Sequence, residues 1–275
     1  MQNRNSKIQL ISFLAAICVI WWHCYCGSTI ERWIIPFCYW AVPWFFGVSG
    51  YFIVGSSDKR SSWGFVKSKI YSLLFPYVLW CLLGVGVFAL CSSEPITLSL
   101  ADIFALNSHT QPMYNKPLWY IRALMIFSAI TMVVLSFLSI VRMRKGFLRV
   151  ALFSALFLII YVGLVKMGAS IGPDSSALYF VAGAVASSLM EVARQKLFIS
   201  KKNSIAIAII ALLVAAVFRG VWFATGHSFS AEGQGGVVLG NLSTIFVIVA
   251  LIYASALISD GALARIASWQ GGGGY

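Results

Sequence analysis

The sequence predicts an all-α fold, a bundle of helices that crosses a membrane several times. Hydrophobic residues make up 60% of the chain and charged residues only 10%, whereas soluble domains usually carry about 25% charged residues. The mean hydropathy is +0.88. Apolar runs of about 20 residues recur along the chain, and a helix of that length crosses a hydrocarbon layer of roughly 30 Å. The lipid bilayer is therefore a predicted partner.

Eight apolar segments are predicted to be the membrane-spanning helices. Further spans follow the first segment, which has no small-residue cleavage site, so we interpret it as a retained helix and not a signal peptide. The spans form one membrane-embedded domain at residues 1–268, and a flexible glycine-rich tail follows at 269–275. The predicted spans are residues 8–26, 36–55, 70–92, 117–140, 148–167, 175–192, 203–225 and 236–258.

The positions of the basic residues predict the orientation of the bundle. Fifteen of the 20 lysines and arginines lie before the first span, after the last span, or in or directly beside alternate connections between spans. Cytoplasmic segments of membrane proteins carry an excess of these residues. Both termini are therefore predicted to lie in the cytoplasm, and the stretch 93–116 is predicted to lie outside. The net charge of +12 reflects this topology, and no nucleic-acid partner is predicted.

His23 lies near the end of the first apolar run, within ICVIWWHCYCG. On a helix that begins near Ile8 it is roughly 24 Å from the cytoplasmic end, in the outer half of the membrane. An interfacial histidine beside tryptophans is one interpretation. An ionisable side chain at depth also indicates function, and histidine exchanges protons near neutral pH.

The cysteines beside His23 raise the question of a metal site. Neighbouring helical residues point about 100° apart, so His23 and Cys24 do not converge on one ion. A metal site needs three or four converging ligands, which leaves His23 and Cys26 too few. No metal site is predicted. We interpret the six cysteines mainly as packing residues. A disulfide among Cys24, Cys26 and Cys38 is the alternative interpretation.

Four basic residues near the ends of spans have two interpretations each. Arg122 and Arg219 lie near predicted outer ends, where an arginine either extends to the interface or binds a phosphate or carboxylate from a buried position. Lys67 and Lys69 precede the third span. They are either ordinary cytoplasmic flanking residues or a phosphate-binding group at the mouth of a cleft.

Four stretches of the chain form a pattern when taken in order. They are KIQLISFLAAICVIWWH (7–23), AVPWFFGVSGYFI (41–53), FVKSKIYSLLFPYVLW (65–80) and PLWYIRALMIF (117–127). Together they resemble the integral-membrane acyltransferase family 3, which includes bacterial O-acetyltransferases of surface polysaccharides. Residues 177–187, ALYFVAGAVAS, are similar to a further span of that family, which carries a Phe-x-x-Gly pattern.

The resemblance implies an activity and a set of site residues. Family members take an acyl group, usually acetyl, from coenzyme A on the cytoplasmic side and pass it to a hydroxyl of a glycan. By resemblance, His23 is the catalytic base or a proton relay, and Lys69 and Lys67 lie near the phosphates of acyl-CoA. Ser49, Trp119 and Arg122 are assigned by resemblance to acceptor binding. The expected location is the bacterial cytoplasmic (inner) membrane, and no metal is expected.

The chain departs from the family pattern at two arginine positions and in length. Ser12 occupies the position eleven residues before the histidine, where the family usually carries arginine. Lys69 and Ser72 match the two arginines of the family's Arg-x-x-Arg stretch, so of these two positions only Lys69 is charged. The family usually has about ten spans, so a C-terminal truncation is expected here. The alternatives to an active enzyme are a catalytically silent member or a transporter or flippase for a small amphipathic molecule.

Overall fold

The described part of the chain is helical. The computed structural model describes residues 6–24, 26–28, 35–57, 62–92, 115–141, 147–169, 171–172, 175–193, 201–225 and 234–255. No β-strand occurs within these ranges. The all-α prediction is therefore confirmed.

Eight helices correspond in order to the eight apolar segments. Short 3₁₀ helices precede two of them, Ile35–Trp40 before α2 and Lys116–Leu118 before α4. Helix α3 has three continuous parts, Ser62–Lys69, a π-helical turn at Ile70–Leu74, and Phe75–Cys91. The others are α1 (Ser6–His23), α2 (Ala41–Ser57), α4 (Trp119–Ile140), α5 (Phe147–Lys166), α6 (Ser175–Ala193), α7 (Lys201–Ala224) and α8 (Gln234–Ser255).

Five of these helices are long and apolar enough to cross a membrane within the described residues. They lie in α3, α4, α5, α7 and α8, and shorter apolar helices cover Lys7–His23, Cys38–Val54 and Ser175–Ser187. The number of crossings and the side on which the termini lie stay predictions. The five long segments are Trp63–Cys91, Trp119–Ile140, Leu148–Lys166, Asn203–Trp222 and Val238–Ser255.

Helix α3 begins eight residues before the predicted span. Hydropathy locates the point where a chain becomes apolar, but backbone hydrogen bonding begins at Ser62, before that point. Lys67 and Lys69 therefore lie on the helix and not in a preceding connection. The π-helical turn follows, with the Phe75 N–H donating to the Ile70 carbonyl. Pro76 has no N–H and crowds the preceding turn, so regular α-helical bonding is interrupted here.

Helix α1 ends at His23, three residues before the predicted boundary at residue 26. The Cys24 N–H donates to the carbonyls of Ile20 (3.0 Å) and Trp21 (3.2 Å), which closes the last turn. Gly27 follows with a φ of +82°, a left-handed conformation that favours glycine. His23 is therefore the last residue of α1.

The chain divides into two compact units. The first contains Met1–Phe45 and Gln195–Tyr275, and the second contains Phe46–Arg194. In the first unit α7 and α8 pack along each other, and α1 contacts α8 and the 3₁₀ helix Ile35–Trp40. Phe218 of α7 stacks on Phe246 of α8, with ring centroids 5.8 Å apart.

The core of the second unit is aromatic. Phe127 of α4 lies among rings from three other helices, at centroid distances of 5.5 Å to Phe46, 5.5 Å to Phe157 and 5.2 Å to Phe180. Phe157 and Phe180 stack on each other at 5.1 Å. The four phenylalanines are fully buried, so these rings join α2, α4, α5 and α6.

Helices α2 and α6 cross with their backbones in contact. A Cβ atom on Gly50 would overlap the carbonyl of Phe180, and a Cβ atom on Gly183 would overlap the carbonyl of Gly47. Small residues allow such close approach between membrane helices, where dispersion contacts replace the hydrophobic effect as the driving force. Two stretches of the family pattern, VSGYF and FVAG, therefore meet at this crossing.

Candidate active site

The predicted site residues are divided between the two units. His23 lies in the first unit, and the other predicted residues lie in the second. The latter are Ser49, Lys67, Lys69, Trp119 and Arg122.

His23 is exposed at the end of α1. The helix rises about 1.5 Å per residue, so His23 is about 26 Å from the first residue, Ser6. Cys24, the next residue, and Trp21, two residues before His23, are also exposed, whereas Trp22 is half-buried. The imidazole is therefore open to a reactant, and the adjacent indole of Trp22 packs against the protein.

An arginine–aromatic cluster lies beside this end of α1, and we define it as Trp22, Tyr39, Arg219 and Trp222. The rings of Trp22 and Tyr39 meet edge to face at a centroid distance of 4.2 Å. The guanidinium carbon of Arg219 lies 5.4 Å from the Tyr39 ring centroid and 5.4 Å from that of Trp222. Both distances are in the range of cation–π attraction, which is worth about 2 kcal/mol when the cation is desolvated.

Arg219 is 3% exposed, so it does not extend to an interface. The structure therefore places Arg219 in the interior of the first unit, and binding of a phosphate or carboxylate by Arg219 stays a prediction. A charged side chain at depth in a membrane helix is costly and usually functional. The sequence did not reveal Tyr39 as a neighbour of Arg219, because the two are 180 residues apart in the chain.

Ser12 has acquired a hydrogen-bonding partner in the first unit. The Trp44 indole Nε1 donates to the Ser12 Oγ at 3.0 Å. Ser12 and His23 are eleven residues apart on α1, roughly three full turns, so they lie on nearly the same face. The position that carries arginine in the family pattern therefore ties α1 to the start of α2.

The cysteines near His23 are thiols, and all six cysteines of the chain are free. The Cys26 thiol donates to the Cys24 carbonyl at 3.3 Å. The disulfide that the sequence left open does not form. Within the described segments, no three His, Cys, Asp or Glu side chains gather closely enough to hold a metal ion.

In the second unit, Ser49 and Trp119 lie in one polar–aromatic group. The Ser49 and Tyr120 hydroxyls are 3.4 Å apart, a long hydrogen bond in which either oxygen can donate. Phe46 joins the two sides, because its ring centroid is 4.8 Å from that of Tyr120 and 6.0 Å from that of Trp119. The structure therefore brings these two predicted residues together.

The Trp119 ring also fits against a glycine. A Cβ atom on Gly172 would lie 3.0 Å from Cζ3 of Trp119, and Gly172 has a φ of +140°. A larger residue at 172 would be strained and would displace the indole. Trp119 is thus held between Phe46 and the connection that precedes α6.

Arg122 is buried in the second unit, at 9% exposure. It lies three residues after Trp119, so the two are neighbours on the surface of α4. Tyr77 of α3 lies near the Arg122 guanidinium, and Tyr77 itself is buried against Cys81 and Leu118. The interpretation in which Arg122 extends to the outer interface is therefore wrong.

Lys67 and Lys69 have different surroundings. The ammonium of Lys69 lies 5.5 Å from the centroid of the Phe65 ring, and Phe65 is buried. Lys67 is exposed on the same helical face as Trp63, four residues earlier and 72% exposed. An exposed tryptophan next to a lysine is typical of a membrane interface.

Sequence reasoning did not single out Tyr120, Tyr77, Tyr39 or Trp222. Tyr120 and Tyr77 lie within two of the stretches that resembled the family, so a closer reading of PLWYIR and FPYVLW could have included them. Tyr39 and Trp222 had no such signal, since aromatic residues at span ends are common. The predicted tail, 269–275, and most of the predicted external stretch, up to residue 114, lie outside the described residues.

Comparison with known proteins gives one family. No curated protein and no solved structure matches the chain. The family model described as an acyltransferase domain matches residues 5–269. This range contains α1 to α8 and every predicted site residue. The predicted resemblance and the predicted acyltransferase activity are confirmed, and the chain belongs to this acyltransferase family.

Proposed function

We propose that the protein transfers an acetyl group from acetyl-CoA to a hydroxyl of a cell-surface or exported glycan, in the bacterial cytoplasmic membrane. The observation that carries the proposal is the exposed His23 at the end of α1, in a chain that belongs to an acyltransferase family. An exposed imidazole beside a half-buried tryptophan suits proton transfer with an incoming hydroxyl.

In this proposal His23 acts as a general base. Its neutral imidazole takes the proton of the acceptor hydroxyl as the hydroxyl oxygen bonds to the thioester carbonyl carbon. The carbon–sulfur bond then breaks, and the proton held by His23 passes to the departing coenzyme A sulfur. The products are an O-acyl ester and free coenzyme A, so atoms and charge balance without a further reactant.

Lys69 is proposed to bind the phosphates of the acyl-CoA substrate, with Lys67 beside it. The ammonium of Lys69 lies near the buried Phe65, which limits its freedom, whereas Lys67 is exposed next to Trp63. A partly ordered ammonium loses less entropy when it binds an anion. This difference supports Lys69 as the principal phosphate contact and Lys67 as the peripheral one.

Ser49, Trp119 and Arg122 are proposed to contact the acceptor. The Ser49 and Tyr120 hydroxyls and the Trp119 indole supply polar groups beside an aromatic ring, a combination that orients a polar ligand in small-molecule sites. The guanidinium of Arg122, buried near Tyr77, suits a carboxylate or phosphate carried by the acceptor.

The catalytic role of His23 is tested with purified protein, radiolabelled acetyl-CoA, and the membrane lipids and polysaccharide of the expressing cells as acceptor. We expect His23→Ala to lower label transfer by about 10²- to 10⁴-fold, the range in which general bases contribute. His23→Gln should be equally inactive, because it keeps polarity and approximate size without a basic nitrogen.

The matched control is the next residue along the chain, Cys24, which is also exposed. Cys24→Ser should keep wild-type transfer. Wild-type transfer by His23→Ala would contradict the catalytic role, and equal losses in His23→Ala and Cys24→Ser would indicate damage to the end of α1.

A further inference from the structure

A catalytic side chain at the end of a helix is restrained less by the helix backbone than one in the middle. The last carbonyls of a helix have no partners within the helix, and the Cys24 N–H closes the final turn of α1. A general base must keep its position to within a fraction of an ångström for efficient proton transfer. Something beyond the helix backbone must therefore restrain residues 22 and 23.

The arginine–aromatic cluster supplies such a restraint within the first unit. Trp22, the residue directly before His23, packs its ring edge to face with Tyr39 at 4.2 Å. Tyr39 belongs to the 3₁₀ helix Ile35–Trp40, which is anchored by the buried Cys38 and Trp40. The cluster therefore connects the end of α1 to a buried segment.

Arg219 lies at the centre of this cluster. Its guanidinium carbon is 5.4 Å from the centroids of both Tyr39 and Trp222, and Trp222 is three residues further along α7. Arg219 and Trp222 are 3% and 2% exposed, so both are held in the interior of the unit. A planar guanidinium can stack on two rings, which a lysine ammonium cannot do equally well.

We propose that Arg219 is a positioning residue for the acyl-transfer reaction: it holds Tyr39, which holds Trp22, and thereby fixes His23 at the end of α1. The inference rests on the proposed function of His23 as the base. Arg219 does not contact the reacting atoms in this proposal. It acts on the rate of proton transfer and not on the binding of acyl-CoA.

The test measures kcat and KM for acetyl-CoA in the radiolabel assay, with purified Arg219→Met and Tyr39→Leu. A base displaced by about 1 Å loses up to about 100-fold in rate, so we expect kcat to fall by about ten- to hundredfold. KM for acetyl-CoA should stay within about twofold of wild type because Lys69 is unchanged. Tyr39→Phe keeps the ring and should keep wild-type kcat, and Arg219→Lys should be intermediate.

The double variant Trp22→Leu/Arg219→Met tests whether Trp22 and Arg219 act through the same chain of contacts. Trp22→Leu alone should lower kcat as Arg219→Met does. The kcat of the double variant should be no lower than that of the more impaired single variant. Losses that multiply in the combined variant would overturn the proposal. So would a Tyr39→Phe variant as impaired as Tyr39→Leu, because the proposal needs only the ring.

The control for general packing damage is Phe218→Leu, which breaks the Phe218–Phe246 stack beside Arg219 in α7. It should lower the apparent Tm in detergent while kcat stays at the wild-type value. An equal fall of kcat in Phe218→Leu and Arg219→Met would overturn the positioning role.

The two proposals fail in different ways. Inactive His23→Ala together with wild-type kcat in both Arg219→Met and Tyr39→Leu would overturn the positioning role and leave the base intact. Wild-type transfer by His23→Ala would remove the catalytic role of His23, and the positioning role would fall with it.

Discussion

Lys67 and Lys69 are two residues apart on α3, and their surroundings differ. Lys69 lies near the buried Phe65 ring, and Lys67 shares an exposed face with Trp63. A helix turns by about 200° over two residues, so two such lysines necessarily point in nearly opposite directions. A basic stretch that is uniform in sequence is therefore two distinct positions in the structure.

We predict that Lys69→Ala raises KM for acetyl-CoA by about tenfold, since one charge-assisted contact to phosphate is worth about 1.5–3 kcal/mol when formed. The value of kcat should fall much less, because the contact is made before and during the reaction alike. Lys69→Arg should retain a KM close to wild type. Initial rates at varied acetyl-CoA concentration measure both constants.

Lys166→Ala provides the neutral comparison, because Lys166 is an exposed lysine at the end of α5 outside the proposed site. Lys67→Ala should raise KM less than Lys69→Ala does. An unchanged KM in Lys69→Ala would contradict phosphate binding by Lys69 and would leave this lysine a role in membrane topology alone.

Ser12 shows how a side chain at a divergent position is used. The hydroxyl accepts a hydrogen bond from Trp44, whose indole is buried and needs a partner. Ser12 thus takes part in a contact between α1 and the start of α2.

Among the elements, α2 and α6 form the contact with the least tolerance for added atoms. Gly47 and Gly50 of α2 oppose Phe180 and Gly183 of α6, with backbone atoms where side chains would otherwise lie. Backbone atoms cannot move aside as a flexible side chain can. The glycines of the VSGYF and FVAG stretches are therefore explained by helix packing and need no catalytic role.

We predict that Gly183→Ala destabilises the protein by about 1–3 kcal/mol, the usual cost of forcing extra volume into a packed interior. The added methyl group overlaps the Gly47 carbonyl and pushes α2 and α6 apart. Unfolding by titration with SDS from detergent micelles measures the change.

Gly163→Ala is the matched comparison in α5, because a Cβ atom there meets nothing within 4 Å. Alanine is favoured over glycine in a helix by up to about 1 kcal/mol, so this variant should be neutral or slightly stabilising. Equal stability of wild type and Gly183→Ala would contradict the close backbone contact between α2 and α6.

For the molecule as a whole, the charge distribution predicts topology. Basic residues concentrate in alternate connections, so both termini and the connection after α4 are expected in the cytoplasm. We predict that, in a background without native cysteines, Met143→Cys is protected from a membrane-impermeant maleimide in intact cells. Ala105→Cys should be labelled in the same cells.

Permeabilised cells provide the control, because both cysteines should then react. Labelling of Met143→Cys but not Ala105→Cys in intact cells would reverse the orientation. His23 would then lie on the cytoplasmic side, and acyl transfer to an exported glycan would need a different route.

The amino-acid sequence alone was enough to predict the eight helices and the acyltransferase family, and to select the residues for mutation. Each depends on information that is local in the chain: runs of apolar residues long enough to span lipid, and short motifs around His23, Ser49, Lys69 and Arg122. The boundaries were less accurate at α1 and α3, because hydrogen bonding and hydropathy do not change at the same residue.

Only the tertiary structure shows which faces of the helices contact each other. A membrane helix is apolar towards lipid and towards its neighbours, so its sequence does not reveal which face packs inwards. The rings around Arg219, the separate environments of Lys67 and Lys69, and the backbone contact of Gly183 with Gly47 all depend on helix rotation and crossing. Residues distant in sequence determine those geometries, since Tyr39 meets Arg219 only when the 3₁₀ helix packs beside α7.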